Sequence, residues 1–311
     1  MSDAIRQPIS VFARASTIVS ALVSGTLLGI LSTQAIAGDA ISQSLAAPAD
    51  AIISINNIRG DVMLKGWEQA EVEITGELDD LAERLVFNVK GNHVIIEVQM
   101  PSRDVNWGDG SDLTIHVPVL SRVKFVGVSS DVSAKDIQGG MQLQTVSGDI
   151  FAHEIGSQLM VSTVSGHIEV DGSTGRLRAS AISGDLHIES AATDATFETV
   201  SGDQRLMLQH FDQASVRSVS GDVVLSGHLN DGGGLGITSV SGEIEVGLQT
   251  LLNATVKAVA GFGGSIDNGW NDGEVDDSGP MGERLKTVVG DGSAEVSLRG
   301  VSADITLTQD D

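Results

Sequence analysis

The sequence predicts an all-β protein, a single-stranded parallel β-helix (solenoid) with coils of about 18 residues and a β-rich N-terminal cap. Three observations carry this. A Val/Ile-Ser-Gly tripeptide followed by an acid and an aliphatic residue recurs in register along the chain. Hydrophobic and polar residues alternate on both sides of it, the period of a half-buried strand. Each unit is too short to bury its own apolar face, so neighbours must stack. At 41% hydrophobic the chain has the material for a core, and 37 glycines against five prolines suit a protein of many bends.

The N-terminus comes first in the chain and gives an address. Residues 1–37 read as an export signal: Arg6 and Arg14 are its only basic residues, Ala15 to Ala37 carries no charge, and Ala35-Ile36-Ala37 is a small-x-small cleavage site before Gly38. The uncharged stretch is also long enough to span a bilayer, so a retained anchor is the competing reading. No later segment is apolar enough to cross a membrane. The expected location is the periplasm, or the surface or surroundings, of a bacterium. Residues 38–50 form a small-residue linker.

The repeats occupy most of the remainder. VSGDI begins at Val146, VSGHI at Val164, ISGDL at Ile182, VSGDQ at Val200, VSGDV at Val219 and VSGEI at Val240. A diverged VSSDV begins at Val128 and a decayed VAGFG at Val259. From Ser129 the steps between serines are 18, 18, 18, 18, 19 and 21 residues, and a last step of 19 reaches Ala260. Before the serine, inward positions alternate as Leu159, Val161 and Thr163, or Ala214, Val216 and Ser218; after the glycine they resume as Ile168 and Val170. The aliphatic residue just ahead of the serine breaks this parity, which puts Ser-Gly at a corner. Val146, Val164, Ile182, Val200, Val219, Val240 and Val259 are expected to stack as one buried aliphatic row. Polar turns such as Asp171-Gly172-Ser173 and Asp231-Gly232-Gly233-Gly234 close the units. An antiparallel sandwich or a propeller is the alternative, but propeller blades need about 40 residues or more.

The flanks follow the same grammar less regularly. Residues 51–120 are expected to hold the cap and first coils, and residues 121–311 the repeat solenoid with a loop insertion at about 261–282 that contains Trp270. Leu85-Phe87-Val89 and Val94-Ile96-Val98 straddle Gly91-Asn92, a hairpin signal. IRGDVMLKGWEQAEVEITGEL near the start, the serial VSGD corners and the closing GDGSAEVSLRGVSADITL together resemble the bacterial putative-adhesin family of β-strand-repeat proteins, a domain of unknown function. The resemblance spans roughly Ala51 to Thr308. It implies a β-solenoid in the bacterial envelope and no catalytic residue.

Charge narrows the partners. With 18 basic and 42 acidic residues the formal net charge is −24, which repels phosphate backbones and makes nucleic acid an unsuitable partner. Having no cysteine removes disulfides, thiol catalysis and thiolate metal sites. The repeat stacks an acidic corner ladder of Asp131, Asp149, His167, Asp185, Asp203, Asp222 and Glu243. Unit charges ~4.8 Å apart repel by about 0.9 kcal/mol in water and about 3.5 kcal/mol at an effective dielectric of 20. Such a row could meet Ca²⁺ or a basic partner; the plainer reading is that each carboxylate caps its own turn and faces water. Otherwise no cofactor and no resident metal are expected, since the seven histidines lack ligand spacing. Arg59-Gly60-Asp61 spells an integrin-type tripeptide, but coincides with the repeat's own Gly-Asp corner. The residues thus point to a non-catalytic exported envelope protein, an adhesin or scaffold offering a repetitive acidic surface to a protein or glycan. The alternatives are a β-helix polysaccharide lyase or hydrolase, and a periplasmic accessory subunit of an envelope sensor.

Overall fold

The computed structural model describes residues 40–101, 108–249, 251–277, 279 and 282–310. The expected export signal lies outside these residues. Among the described residues the architecture is all-β, and none is in an α-helix.

Alternation builds each strand. In Leu186–Ser201 the side chains of Leu186, Ile188, Ala192, Ala195 and Phe197 face in and are buried, while His187, Glu189 and Asp194 face out. The phase slips once, at Thr193 and Asp194, where the pairing register also shifts. The expected polar turns are therefore bulges inside long strands, a way to bend the chain without breaking its ladder. Breaks come at the corner instead. Ile168–Ser183, Leu186–Ser201, Gln204–Ser220 and Val223–Ser241 each end on the motif serine, and the next strand starts after the acid.

Equivalent residues of successive units sit side by side in parallel register. Leu177 pairs with Ala195, Ala195 with Ala214 and Ala214 with Leu235. Beyond the corner, Ile168 pairs with Leu186, Leu186 with Gln204 and Gln204 with Val223. Stacking thus merges the small apolar faces of single units into one core, in which Phe125, Phe197 and Phe211 are fully buried.

The expected buried aliphatic row is not buried. Val146, Val164, Ile182, Val200, Val219 and Val240 are 39–49% exposed, and Val259 is half-buried. Thr163 ahead of Val164 already faces the core, and in an extended chain the next side chain must face away. The period of the strand overrides the hydrophobicity of the residue. Val259 is not in this column at all, because Ala260 pairs with Gly300, which sets Gly261 beside Val301.

Chain order and stacking order diverge at both ends. Ile52–Trp67 lies between Arg122–Lys135 on one side and His93–Gln99 with Asp112–Pro118 on the other. Ala294–Ser302 lies between Val223–Ser241 and Ala254–Ala260, and Ile305–Asp310 between Ile244–Gln249 and Ile266–Asn268. The first and last full units are therefore tucked one place inside the stack, and internal segments take the outermost places. Antiparallel strands cover those segments: Arg84–Lys90 pairs with His93–Gln99 through the Gly91-Asn92 hairpin, and Glu283–Val289 pairs with Ala254–Ala260. There, and at Asp112–Pro118 beneath Glu71–Glu77, the parallel edge that would template association with another chain is covered. Trp270 is buried, its indole N–H donating to the Thr308 carbonyl at 2.5 Å.

Candidate functional site

The corner brings three kinds of side chain to one edge of the stack. The first is the aliphatic residue ahead of the serine. Arg59 pairs with Ser129 and Ser241 with Ser302, so Ile58 and Val301 extend the column at its two ends. It then holds nine half-exposed aliphatic side chains in unbroken succession: Ile58, Val128, Val146, Val164, Ile182, Val200, Val219, Val240 and Val301. At ~4.8 Å per rung it is roughly 38 Å long. Scattered exposed valines need no explanation, but a continuous apolar stripe does. Beside it run the exposed motif serines, whose N–H groups bond backwards: Ser165 to the Val146 carbonyl and Ser183 to the Val164 carbonyl, both at 2.8 Å.

The glycine next to the serine is set by clearance between units. A Cβ on Gly184 would lie 1.8 Å from the Gly166 carbonyl oxygen, and one on Gly166 would lie 2.1 Å from that of Gly148. Neither of these two has a positive φ, so at them the requirement is space; Gly202, Gly221 and Gly242 add a positive φ to the same close approach.

The acidic ladder is real, and its carboxylates do not cap their own turns. Asp131, Asp149, Asp185, Asp203 and Asp222 each accept the backbone N–H of the corresponding residue one unit on. The Asp149 N–H donates to Asp131 Oδ1 (2.8 Å), the Asp203 N–H to Asp185 Oδ1 (2.9 Å), the Asp222 N–H to Asp203 Oδ1 (2.9 Å) and the Glu243 N–H to Asp222 Oδ1 (2.8 Å). His167 fits the same scheme. Its N–H donates to Asp149 Oδ1 (2.7 Å), and the Asp185 N–H donates to its ring Nδ1 (3.2 Å). One oxygen of each bonded aspartate thus serves the fold and the other is not used by the next corner; that of Asp185 lies 3.4 Å from His167 Nδ1.

Register adds three rungs, of which only Asp61 stands at a Gly-Asp corner legible in the sequence. Asp61 pairs with Asp131 and with the strand carrying Asp112, whose neighbour Leu113 pairs with Val62. Asp304 joins at the far end, since Ile244 pairs with Ile305 and Ser265 N–H donates to Asp304 Oδ1 (2.8 Å). Asp112 carries no repeat signature because its unit lacks the Ser-Gly motif. Asp61, Asp112 and Asp131, with exposed Met63 and Phe151, line a shallow groove beside the start of the ladder. Partial burial there, then repulsion from Asp112 and Asp131, holds the Asp61 carboxyl above the ordinary aspartate range.

The family model described as Toastrack DUF4097 matches residues 49–308. The chain belongs to the Toastrack family. No curated protein matches it. Among solved structures, this Toastrack chain is similar to a putative adhesin from Parabacteroides distasonis ATCC 8503, with 12% identity, a TM-score of 0.50, and coverage of 86% of this chain and 97% of that one. A putative adhesin from Parabacteroides merdae ATCC 43184 gives 10% identity and a TM-score of 0.50 over 87% and 96% of the two chains. A putative lipid binding protein from Parabacteroides distasonis ATCC 8503 gives 14% identity and a TM-score of 0.47 over 88% and 98%. At these identities the likeness concerns the fold.

Other residues of the Toastrack chain have structural duties. Arg59, of the integrin-type tripeptide, forms a two-pronged pair with Asp79, whose side chain is 1% exposed. Asp79 Oδ1 also accepts the Leu81 N–H at 2.8 Å. The Arg59 guanidinium holds the Asp79 carboxyl below the usual aspartate range. The histidines are dispersed: His153 contacts Asp171 (2.9 Å), His116 stacks on Trp67, and His210 and His228, 18 residues apart, meet ring to ring at 4.5 Å. Among the described residues no three His, Asp or Glu side chains converge on a point that could hold a metal ion.

Proposed function

We propose that this Toastrack chain is a non-catalytic, exported envelope protein, wound as a β-solenoid, that acts as an adhesin or scaffold by presenting its corner edge to a protein or glycan partner. The observation that carries the reading is the unbroken column of nine half-exposed aliphatic side chains beside the acidic ladder. A fold that needed only a core would not repeat an outward valine in unit after unit, because outward apolar groups gain little from folding and invite association. The ladder's recurrence has a structural cause in the N–H groups it accepts, so it does not call for an active site. The export signal expected over residues 1–37 supports an envelope address.

A photoreactive amino acid placed at Ile182 in cells of the source bacterium tests this. Discrete adducts are expected there and not with the same group at Thr193, which is exposed at the bulge away from the corner. Equal labelling at both positions, or none at either, would count against the edge as the presenting surface. Cleavage of envelope polysaccharide by the purified protein, lost on substituting one carboxylate, would replace the reading with an enzymatic one.

A further inference from the structure

We infer that the occupant of the corner edge is a cationic amphipathic α-helix, lying along the stack with its apolar stripe on the aliphatic column and its Lys or Arg side chains over the acidic ladder. This rests on the presentation reading above and gives the partner a chemistry.

Two features of the edge require a partner with two faces. The aliphatic column offers apolar contact over roughly 38 Å. Three residues further along each unit, the ladder offers a parallel line of carboxylates, each with an oxygen not used by the next corner. A partner with only apolar groups would leave that line unmet. One with only positive charge would leave the valines in water. A second copy of this chain, with a net charge of −24, would bring two acidic ladders together. Charge complementarity selects a cationic partner.

Backbone chemistry selects a helix over an extended peptide. The N–H groups at the corner are already spent, those of the serines on preceding carbonyls and those of the acids on preceding carboxylates. A strand laid along this edge would find no ladder to join, and its own peptide groups would be partly desolvated without partners. A helix satisfies its backbone internally. Spacing agrees: same-face residues recur at about 5.4 Å per helical turn, against about 6.7 Å along a strand, and the rungs are ~4.8 Å apart. A helix of about 25 residues would span the column.

The test uses the mature protein and a labelled helical peptide of about that length, with leucines in one stripe and lysines flanking it. Anisotropy at low and high salt reads affinity, and circular dichroism reads peptide helicity against an all-β background. Saturable binding with gain of helix is expected, weakened at high salt. A peptide of the same composition in scrambled order should bind at least about tenfold more weakly. Val164→Ser/Ile182→Ser/Val200→Ser removes the apolar half, and Asp185→Asn/Asp203→Asn removes charge while keeping an acceptor for the next N–H. Each should cost about tenfold, with unchanged melting curves certifying the fold. Equal binding of the scrambled peptide, or wild-type affinity in either variant, overturns the proposal. So does self-association abolished by the triple serine variant with no peptide binding, which would make a second copy the occupant. If the Ile182 adducts form and the peptide fails to bind, presentation stands and the helix is wrong; if no adducts form, the presentation reading itself has failed.

Discussion

The backbone N–H of Asp203 donates to Oδ1 of Asp185, 18 residues earlier, at 2.9 Å. The bond joins two stacked units at the point where neither strand continues, between Ser201 and Gln204. Backbone bonds continue on either side, from the Gly184 N–H to the Ser201 carbonyl (3.1 Å) and from the Leu186 N–H to the Asp203 carbonyl (2.9 Å), and a side chain takes the Asp203 N–H between them. The recurrent corner acid is thus a stacking device, and its like-charge repulsion is the accompanying cost.

That division of labour can be separated by substitution. Asp185→Asn keeps an acceptor for the Asp203 N–H and removes one charge, so stability should stay within about 0.5 kcal/mol of wild type. Asp185→Ala removes the acceptor and should cost about 1 kcal/mol, moderated by water at an exposed corner. Urea unfolding of both variants at neutral pH checks the difference.

Gly184 should tolerate no side chain. An alanine there would drive Cβ to 1.8 Å from the Gly166 carbonyl oxygen, so the two units must separate or the backbone must shift. A loss of about 3 kcal/mol is expected. Gly236→Ala, where an added Cβ meets nothing within 4 Å, is the control and should be near neutral. Thermal melts of the pair read the contrast.

The outward valines should contribute little to stability. Ile182→Ser is expected to change unfolding free energy by less than about 0.5 kcal/mol, because Ile182 is 49% exposed. Ile188→Ala, six residues on and 1% exposed, should cost about 3 kcal/mol. Equal losses in chemical denaturation would restore the buried row.

Asp79 should matter most near neutral pH. Its folded carboxyl is held below its unfolded value by Arg59, so its contribution is present above the unfolded pKa and lost as pH falls through the folded one. Asp79→Asn removes the carboxylate of the two-pronged pair with Arg59 and should destabilise by about 3 kcal/mol at pH 7, less in acid. A stability profile of wild type and variant from neutral to acid pH tests this.

Asp61 carries the opposite sign. Its folded carboxyl lies above the unfolded value, so ionising it penalises the folded state, fully at pH above the folded pKa and not at all below the unfolded one. Asp61→Asn should stabilise at neutral pH, by under about 1 kcal/mol because the group reaches solvent, and the gain should vanish in acid. Added salt should shrink it too, by screening Asp112 and Asp131. Melting temperature across pH and salt gives the answer.

The sequence by itself determined the strands, their inward faces and the stacking period. Leu159, Val161, Ile168 and Val170 all lie where their alternation puts them, because side-chain direction in a strand is a local property of the backbone. It also determined that Asp149, Asp185, Asp203 and Asp222 form one line, since a constant repeat places like residues in like positions. Tertiary structure alone decided the rest. Val164 and Ile182 look like core residues until Thr163 and Ala181 are seen to face inward ahead of them. What Asp185 bonds to depends on the height of the next unit, not on neighbours in the chain. The membership of Asp112 and Asp304 depends on units tucked into the stack out of chain order. Pattern within a segment is written locally; which segment lies beside which is settled by the burial of ends and edges, a property of the whole assembled stack.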